Sequence, residues 1–170
     1  MQGMMMNRPL MISDILTYAA EAHPRAEIVS VRTEGDVHRQ TYPETLARVS
    51  QLAHALKEMG IESGDRVATL AWNGYRHFEL YYAISGSGAV CHTINPRLSA
   101  EQMTYIVEHA GDKVLFVDLT FVPILEKLKD QLPGHLTYVI MTDRAHMPEN
   151  SLDALCYEEL LDGQPTTYDW

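Results

Sequence analysis

The sequence predicts an α/β fold: an open, mainly parallel sheet with helices on both faces, preceded by an N-terminal helix and a β-hairpin. Three observations carry this expectation. Four short segments, 66–71, 89–94, 113–118 and 136–141, are apolar almost throughout. Strands covered on both faces lose the in–out alternation of a half-solvated strand. Stretches long enough to hold a helix separate the four segments, as crossovers between parallel strands require. Finally, 170 residues with 46% apolar and 21% charged side chains suit one globular unit with a real core.

The elements follow in order. Ser13-Asp14 ahead of Ile15, Leu16, Ala19 and Ala22 predicts a short capped helix that stops before Pro24. Segment 27–32 is rich in β-branched residues, Glu34-Gly35-Asp36 supplies a turn, and 37–41 returns as the second hairpin strand. Thr41-Tyr42-Pro43-Glu44 fits a capping box, in which the Thr41 hydroxyl accepts from the Glu44 amide while the carboxylate reaches back. Leu46, Val49, Leu52, Ala53, Leu56 and Met59 then recur at helical spacing up to Gly60, a left-handed stop. Between the four apolar strands lie a helical stretch at 75–85, a helix capped by Ser99 and Gln102 and closed by Gly111, and a helix at 121–132. From Asp143 the pattern weakens, leaving one short helix candidate at 157–161. The chain therefore divides into an α/β subdomain, 1–142, and a peripheral acidic segment, 143–170.

Thirteen Lys and Arg against 23 Asp and Glu leave a formal charge of −10. The imbalance lies late: residues 1–100 carry nine basic and ten acidic side chains, residues 101–170 four and thirteen. Such a chain repels DNA and anionic lipid, so nucleic-acid binding is not expected, although a local arginine can still meet one small anion. Cys91 and Cys156 are too few for a disulfide scaffold and fit no zinc spacing, which points to a reducing, cytoplasmic setting. No apolar run approaches the ~20 residues of a bilayer span. The Met-rich start, 1–9, lacks the continuous apolar stretch and cleavage site of a signal peptide.

A sheet of this kind invites a search for nucleotide chemistry. Gly86-Ser87-Gly88 is the one Gly-x-Gly, but it precedes a strand instead of joining a strand to a helix N-terminus, so close backbone packing explains it better. Lys57, Lys113, Lys127 and Lys129 lie in no Gly-rich loop, and the eight histidines show no metal-ligand spacing. Cys91 and His92 are neighbours on a strand and point to opposite faces, so they form no nucleophile–base pair. Cys91 is expected to be a small core hydrophobe and His92 a structural histidine.

Two loops follow strand C-terminal ends, where open sheets place their ligands: Trp72-Asn73-Gly74 and Asn95-Pro96-Arg97-Leu98. Pro96 holds Asn95 extended and projects Arg97 towards the start of the helix capped by Ser99. Guanidinium plus helix amides make a phosphate site; a solvated surface arginine is the competing reading.

Gly64-Asp65-Arg66-Val67-Ala68-Thr69-Leu70 with Ala71-Trp72-Asn73, and the string from Gly88-Ala89 through His92-Thr93-Ile94-Asn95-Pro96-Arg97-Leu98, resemble the adenylate-forming acyl-CoA synthetases. Ala110-Gly111-Asp112-Lys113-Val114-Leu115 fits as well. The likeness runs from about residue 12 to 170 and is nearest to bacterial medium- and long-chain fatty acid–CoA ligases. It implies a two-step reaction in which a carboxylic acid becomes an acyl-adenylate at the expense of ATP with Mg, and CoA then displaces AMP. It also implies that this is the N-terminal portion of such an enzyme, because the Ser/Thr/Gly-rich ATP loop ending in Pro-Lys-Gly is not among these residues. No catalytic residue or metal ligand is therefore assigned here, and the segment alone is expected to be inactive.

Arg97 alone carries over as a binding candidate, for the CoA phosphates. Trp72 and His92 receive no role. The expected substrate is a medium-chain carboxylic acid, with a short thioether or branched acid as the alternative. A free-standing, non-catalytic oligomerisation or binding module is the competing class. Severed from the later segments of such an enzyme, the sheet would expose apolar surface normally covered by them, which leads us to expect a homodimer or higher oligomer.

Overall fold

Short apolar strands must bury both faces, and the protein does so around a five-stranded parallel sheet. The computed structural model describes residues 3, 4, 6, 7 and 9–170; Met1, Gln2, Met5 and Arg8, part of the Met-rich start, lie outside the described residues. The chain runs α1 (Ile12–Ala22), β1 (Glu27–Val31), β2 (Val37–Thr41), α2 (Tyr42–Glu58), β3 (Arg66–Leu70) and α3 (Tyr75–Gly86). It continues through β4 (Val90–Thr93), α4 (Ala100–Ala110), β5 (Val114–Val117), α5 (Val122–Leu128), β6 (Thr137–Ile140), β7 (Leu155–Cys156) and α6 (Tyr157–Leu161). β1 and β2 pair as an antiparallel hairpin, with Val31 opposite Val37. The expected architecture of N-terminal helix, hairpin and parallel sheet is thus present.

The sheet order is β4-β3-β5-β6-β7. From β3 the chain steps outward to β4 and then crosses back past β3 to β5. That reversal opens a crevice beyond the C-terminal ends of β3 and β5, the position where open α/β sheets bind ligands.

Alternation along each strand divides the core in two. Ala68, Leu70, Leu115, Val117, Tyr138 and Ile140 face α4 and α5, packing on Met103, Val107 and Leu125. Val67, Val114, Phe116, Val139 and Met141 face the other way, onto Leu16, Leu52, Leu56, Leu80 and Ile84 of α1–α3. Each Val, Leu, Ile, Phe or Met among them contributes about 1.5–3 kcal/mol by leaving water. Cys91 packs at the rim of the second cluster, and burial raises its thiol to about 11.

Several boundaries follow the sequence closely. Thr41 and Glu44 form the expected capping box on α2, and Ser99 and Gln102 do the same on α4. Gly60 and Gly111 take left-handed conformations, at φ +79° and +64°. Gly86-Ser87-Gly88 turns α3 into β4, with Gly88 at φ +86°. The ring of Trp170 lies 2.9 Å from where a Cβ on Gly86 would stand, so close packing explains that glycine.

Three details differ. α1 begins at Ile12 with Met11 at its N-cap, and Ser13 is buried in the first turn instead of capping. The helix expected over 121–132 is a seven-residue α5 between two 3-10 turns, the second ending at Gln131 where Leu132 is held extended by Pro133. Residues 143–170, expected at the periphery, also add β7 beside β6 and bury Tyr157 completely. Among the described residues, no helix is long and apolar enough to cross a membrane.

Candidate functional site

The C-terminal edge of the sheet gathers the ends of β4, β3 and β5, and the sequence candidates sit on the loops that leave them. Beyond β4, the Asn95 side chain accepts a hydrogen bond from the Arg97 amide at 3.0 Å, closing a turn that leaves the Arg97 side chain exposed. No ion pair to Arg97 is found among the described residues. The helix start beside it is less available. The Gln102 amide donates to Ser99 Oγ at 3.3 Å, and the Ser99 amide donates to Gln102 Oε1 at 3.1 Å. The capping box therefore consumes donors that a phosphate would need, and Glu101 adds a negative charge to the same turn. Of the two parts of the expected anion site, the guanidinium is free and the helix amides are partly occupied.

His92, read from the sequence as a structural histidine, pairs with a buried carboxylate. Its Nδ1 lies 2.8 Å from Asp112 Oδ2, and Asp112 is fully buried. Burial lifts the Asp112 carboxyl above its usual range, although the His92 contact opposes that rise. The pair ties the end of α4 to the edge strand β4. Trp72 is half-exposed and leans on Phe121 with ring centroids 5.0 Å apart.

The crevice between β3 and β5 is spanned by one short hydrogen bond. The Trp72 amide donates to Asp118 Oδ2 at 2.6 Å, fastening the β3–α3 loop to the end of β5. Asp118 is 8% exposed, and burial raises its carboxyl to about 6 against the opposing effect of the Trp72 amide. His77 lies beneath the same loop, Nε2 at 3.0 Å from Thr69 Oγ1 and Nδ1 at 3.1 Å from the Trp72 carbonyl. Burial pushes its pKa below the usual histidine range. Arg32, Thr33, Trp72, Arg76, His77 and Asp118 line a small, open cleft here.

Behind the cleft lies an ionic network that the sequence did not reveal. Arg76 donates through Nε to Glu158 at 2.8 Å and through Nη1 to Glu34 at 2.7 Å. Arg48 bridges Glu79 at 2.6 Å and Glu158 at 2.9 Å, while the Tyr157 hydroxyl donates to Glu79 at 2.7 Å. Burial raises the Glu34 and Glu158 carboxyls, but the arginines outweigh it and hold both below their usual range. The network joins hairpin, α2, α3 and α6. Its partners lie up to 110 residues apart, and no local pattern marks them. Among the described residues, no group of three or more His, Cys, Asp or Glu side chains could hold a metal ion.

An open parallel sheet with one strand-order reversal, loops converging on its C-terminal edge and a free arginine there defines a ligand-binding α/β protein. Comparison with known proteins narrows that class. The AMP-binding enzyme family matches residues 16–164, and the chain belongs to it. A 3-methylmercaptopropionyl-CoA ligase of Ruegeria lacuscaerulensis is 44% identical over 171 residues, covering 100% of this chain and 32% of that protein. A medium-chain-fatty-acid–CoA ligase of Ectopseudomonas oleovorans is 43% identical, covering 100% of this chain and 31% of its own length. The chain thus spans about a third of these relatives. The crystal structure of an anthranilate CoA ligase in complex with anthranoyl-AMP shares the fold, with a TM-score of 0.77 at 24% identity over 96% of this chain and 30% of that one.

Proposed function

We propose that this chain belongs to an AMP-forming acid–CoA ligase. In the first step a substrate carboxylate attacks the α-phosphorus of Mg-bound ATP, forming the acyl–phosphate bond as pyrophosphate leaves. In the second, the CoA thiol loses its proton, attacks the acyl carbon and expels AMP. A carboxylate is a poor acyl donor until its oxygen becomes a good leaving group, and the enzyme must orient the attack and neutralise phosphate charge. The observation that carries this reading is that two relatives above 40% identity, matched over the whole of this chain, are both acid–CoA ligases.

Within that activity a medium-chain fatty acid is the first-choice substrate, and a short thioether acid such as 3-methylmercaptopropionate the second. Each has one of those relatives in its support. Arg97 is assigned to the phosphates of CoA; its exposure, its freedom from ion pairs and its place at the sheet edge support this. No residue among the 170 is assigned to ATP or Mg. The test is acid-dependent ATP–pyrophosphate exchange by the full-length protein with hexanoate, octanoate and 3-methylmercaptopropionate. Exchange strongest with octanoate or hexanoate is expected, exchange strongest with the thioether acid selects the second substrate, and exchange with no acid overturns the ligase reading.

A further inference from the structure

The two edges of the parallel sheet are finished differently. At one edge, β7 is only two residues long. At the other, β4 runs from Val90 to Thr93 and pairs with β3 alone among the described residues. The Val90 amide donates to the Asp65 carbonyl at 2.7 Å and the Ile94 amide to the Thr69 carbonyl at 2.8 Å, both on the β3 side. Successive strand residues turn their backbone groups opposite ways, so Cys91 and Thr93 present N–H and C=O to the outer side. Proteins blunt a lasting free edge with charges, a proline, a bulge or a very short strand. β7 is short, but β4 holds no Lys, Arg, Asp, Glu or Pro, and its register with β3 is unbroken.

A second, independent feature brings the chain to that same edge. After β7 and α6 the backbone does not stay beside β6. Gln51 on α2 donates to the carbonyls of Leu161 and Gln164 at 3.1 and 3.3 Å, and Gln164 donates to Glu58 at 2.8 Å. His54 Nε2 meets the Thr167 carbonyl at 2.9 Å. Residues 51, 54 and 58 follow one face of α2 and form a polar rail for the segment. Beyond it, the ring of Trp170 packs over Gly86, where α3 turns into β4. The chain has thus passed from the β7 side of the sheet towards β4, over the face that carries α1, α2 and α3.

This path selects the next step. α3 already joins β3 to β4 across the same face and in the same direction. A strand that starts beside Trp170 and follows the outer edge of β4 repeats that hand of crossover, the one parallel connections keep almost without exception. It runs parallel to β4, because Trp170 stands where β4 begins.

We propose that the outer edge of β4 is the seat of a further parallel strand, supplied by the residues that follow Trp170 in the full-length protein. The proposal rests on the acid–CoA ligase reading in one respect: it takes the protein to be longer than these 170 residues, as its relatives are.

Hydrogen exchange of the wild-type full-length protein, read residue by residue by mass spectrometry, tests it. The Cys91 and Thr93 amides should exchange at least about a hundredfold more slowly than unprotected amides. Exchange at the unprotected rate overturns the proposal, as does a natural chain with no residues past Trp170. Protection that falls on dilution belongs to a second copy and overturns it as well. A benzoylphenylalanine photo-crosslinker introduced at Val90, in a mixture of unlabelled and isotope-labelled full-length protein, identifies the neighbour. Adducts should join position 90 to residues beyond Trp170 within one isotope label. Adducts between labels, or only to residues 1–170, contradict the added strand. Should that variant fail to fold, wild-type exchange at two protein concentrations decides. Acid-dependent pyrophosphate exchange by the same protein keeps the two readings apart. Activity with an open β4 edge overturns the strand alone, and protection without activity overturns the ligase alone.

Discussion

Asp118 shows how far a single residue depends on its surroundings. Its carboxyl is raised from 3.8 to about 6, chiefly by burial. The folded state therefore favours the protonated form. That contribution to stability is fully present below the unfolded value near 3.8 and is lost as pH rises through about 6. An Asp118→Asn variant removes the titration. Its stability relative to wild type should rise by about 1 kcal/mol between pH 5 and pH 7.5, as followed by urea denaturation; parallel profiles would contradict the burial of this group. Tyr157, fully buried with its hydroxyl on Glu79, supports a second expectation. Tyr157→Phe should cost about 1–3 kcal/mol, because the Glu79 carboxylate loses a donor it cannot replace with water. These two residues differ from Arg97 in how visible they were. Arg97 could be singled out because Pro96 and a strand end place it. Asp118 and Tyr157 could not, since their importance arises from contacts with Trp72, 46 residues away, and Glu79, 78 residues away.

At the scale of elements, local chemistry made most of the fold legible. The Thr41/Glu44 and Ser99/Gln102 boxes and the left-handed Gly60 and Gly111 fixed four helix ends because each signal acts within four residues. Ser99→Ala should therefore lower thermal stability by about 1 kcal/mol, the usual value of such a cap. Gly111→Ala should cost a similar amount or more. Its φ of +64° strains any L side chain, and a Cβ there would stand 2.9 Å from the Arg66 guanidinium. β7 was invisible for the opposite reason. Two residues show no alternation, and Leu155 and Cys156 are a strand only because β6 presents a free edge to them. The ionic network was likewise closed to inspection of the sequence. Its carboxylates, Glu34 in the hairpin turn, Glu79 on α3 and Glu158 on α6, look like ordinary surface acids until the chain folds.

For the whole molecule, the uneven charge noted in the sequence takes on structural meaning. Six of the eight arginines of residues 1–100 are placed: Arg48 and Arg76 by the ionic network, Arg32 by Asp36, Arg39 by Glu27, Arg66 by the Ala110 carbonyl, and Arg97 by its exposure. Arg97 stands apart from the other five in having no ion pair or hydrogen bond from its guanidinium among the described residues. The expectation of a dimer or larger assembly rests on apolar sheet surface; exposed Ile12, Ile15 and Tyr81 around the α1–α3 groove form a further apolar face that favours one. Sedimentation velocity of the full-length protein should show that assembly at micromolar concentration, and a monomer throughout would count against it. Membership of the AMP-binding family and the free arginine at the sheet edge meet in one experiment: steady-state kinetics of the Arg97→Ala variant of the full-length protein. The CoA KM should rise about tenfold, as expected for a lost charged phosphate contact, while acid-dependent pyrophosphate exchange stays at the wild-type rate. A CoA KM equal to that of the wild type would contradict the assignment of Arg97 to the CoA phosphates.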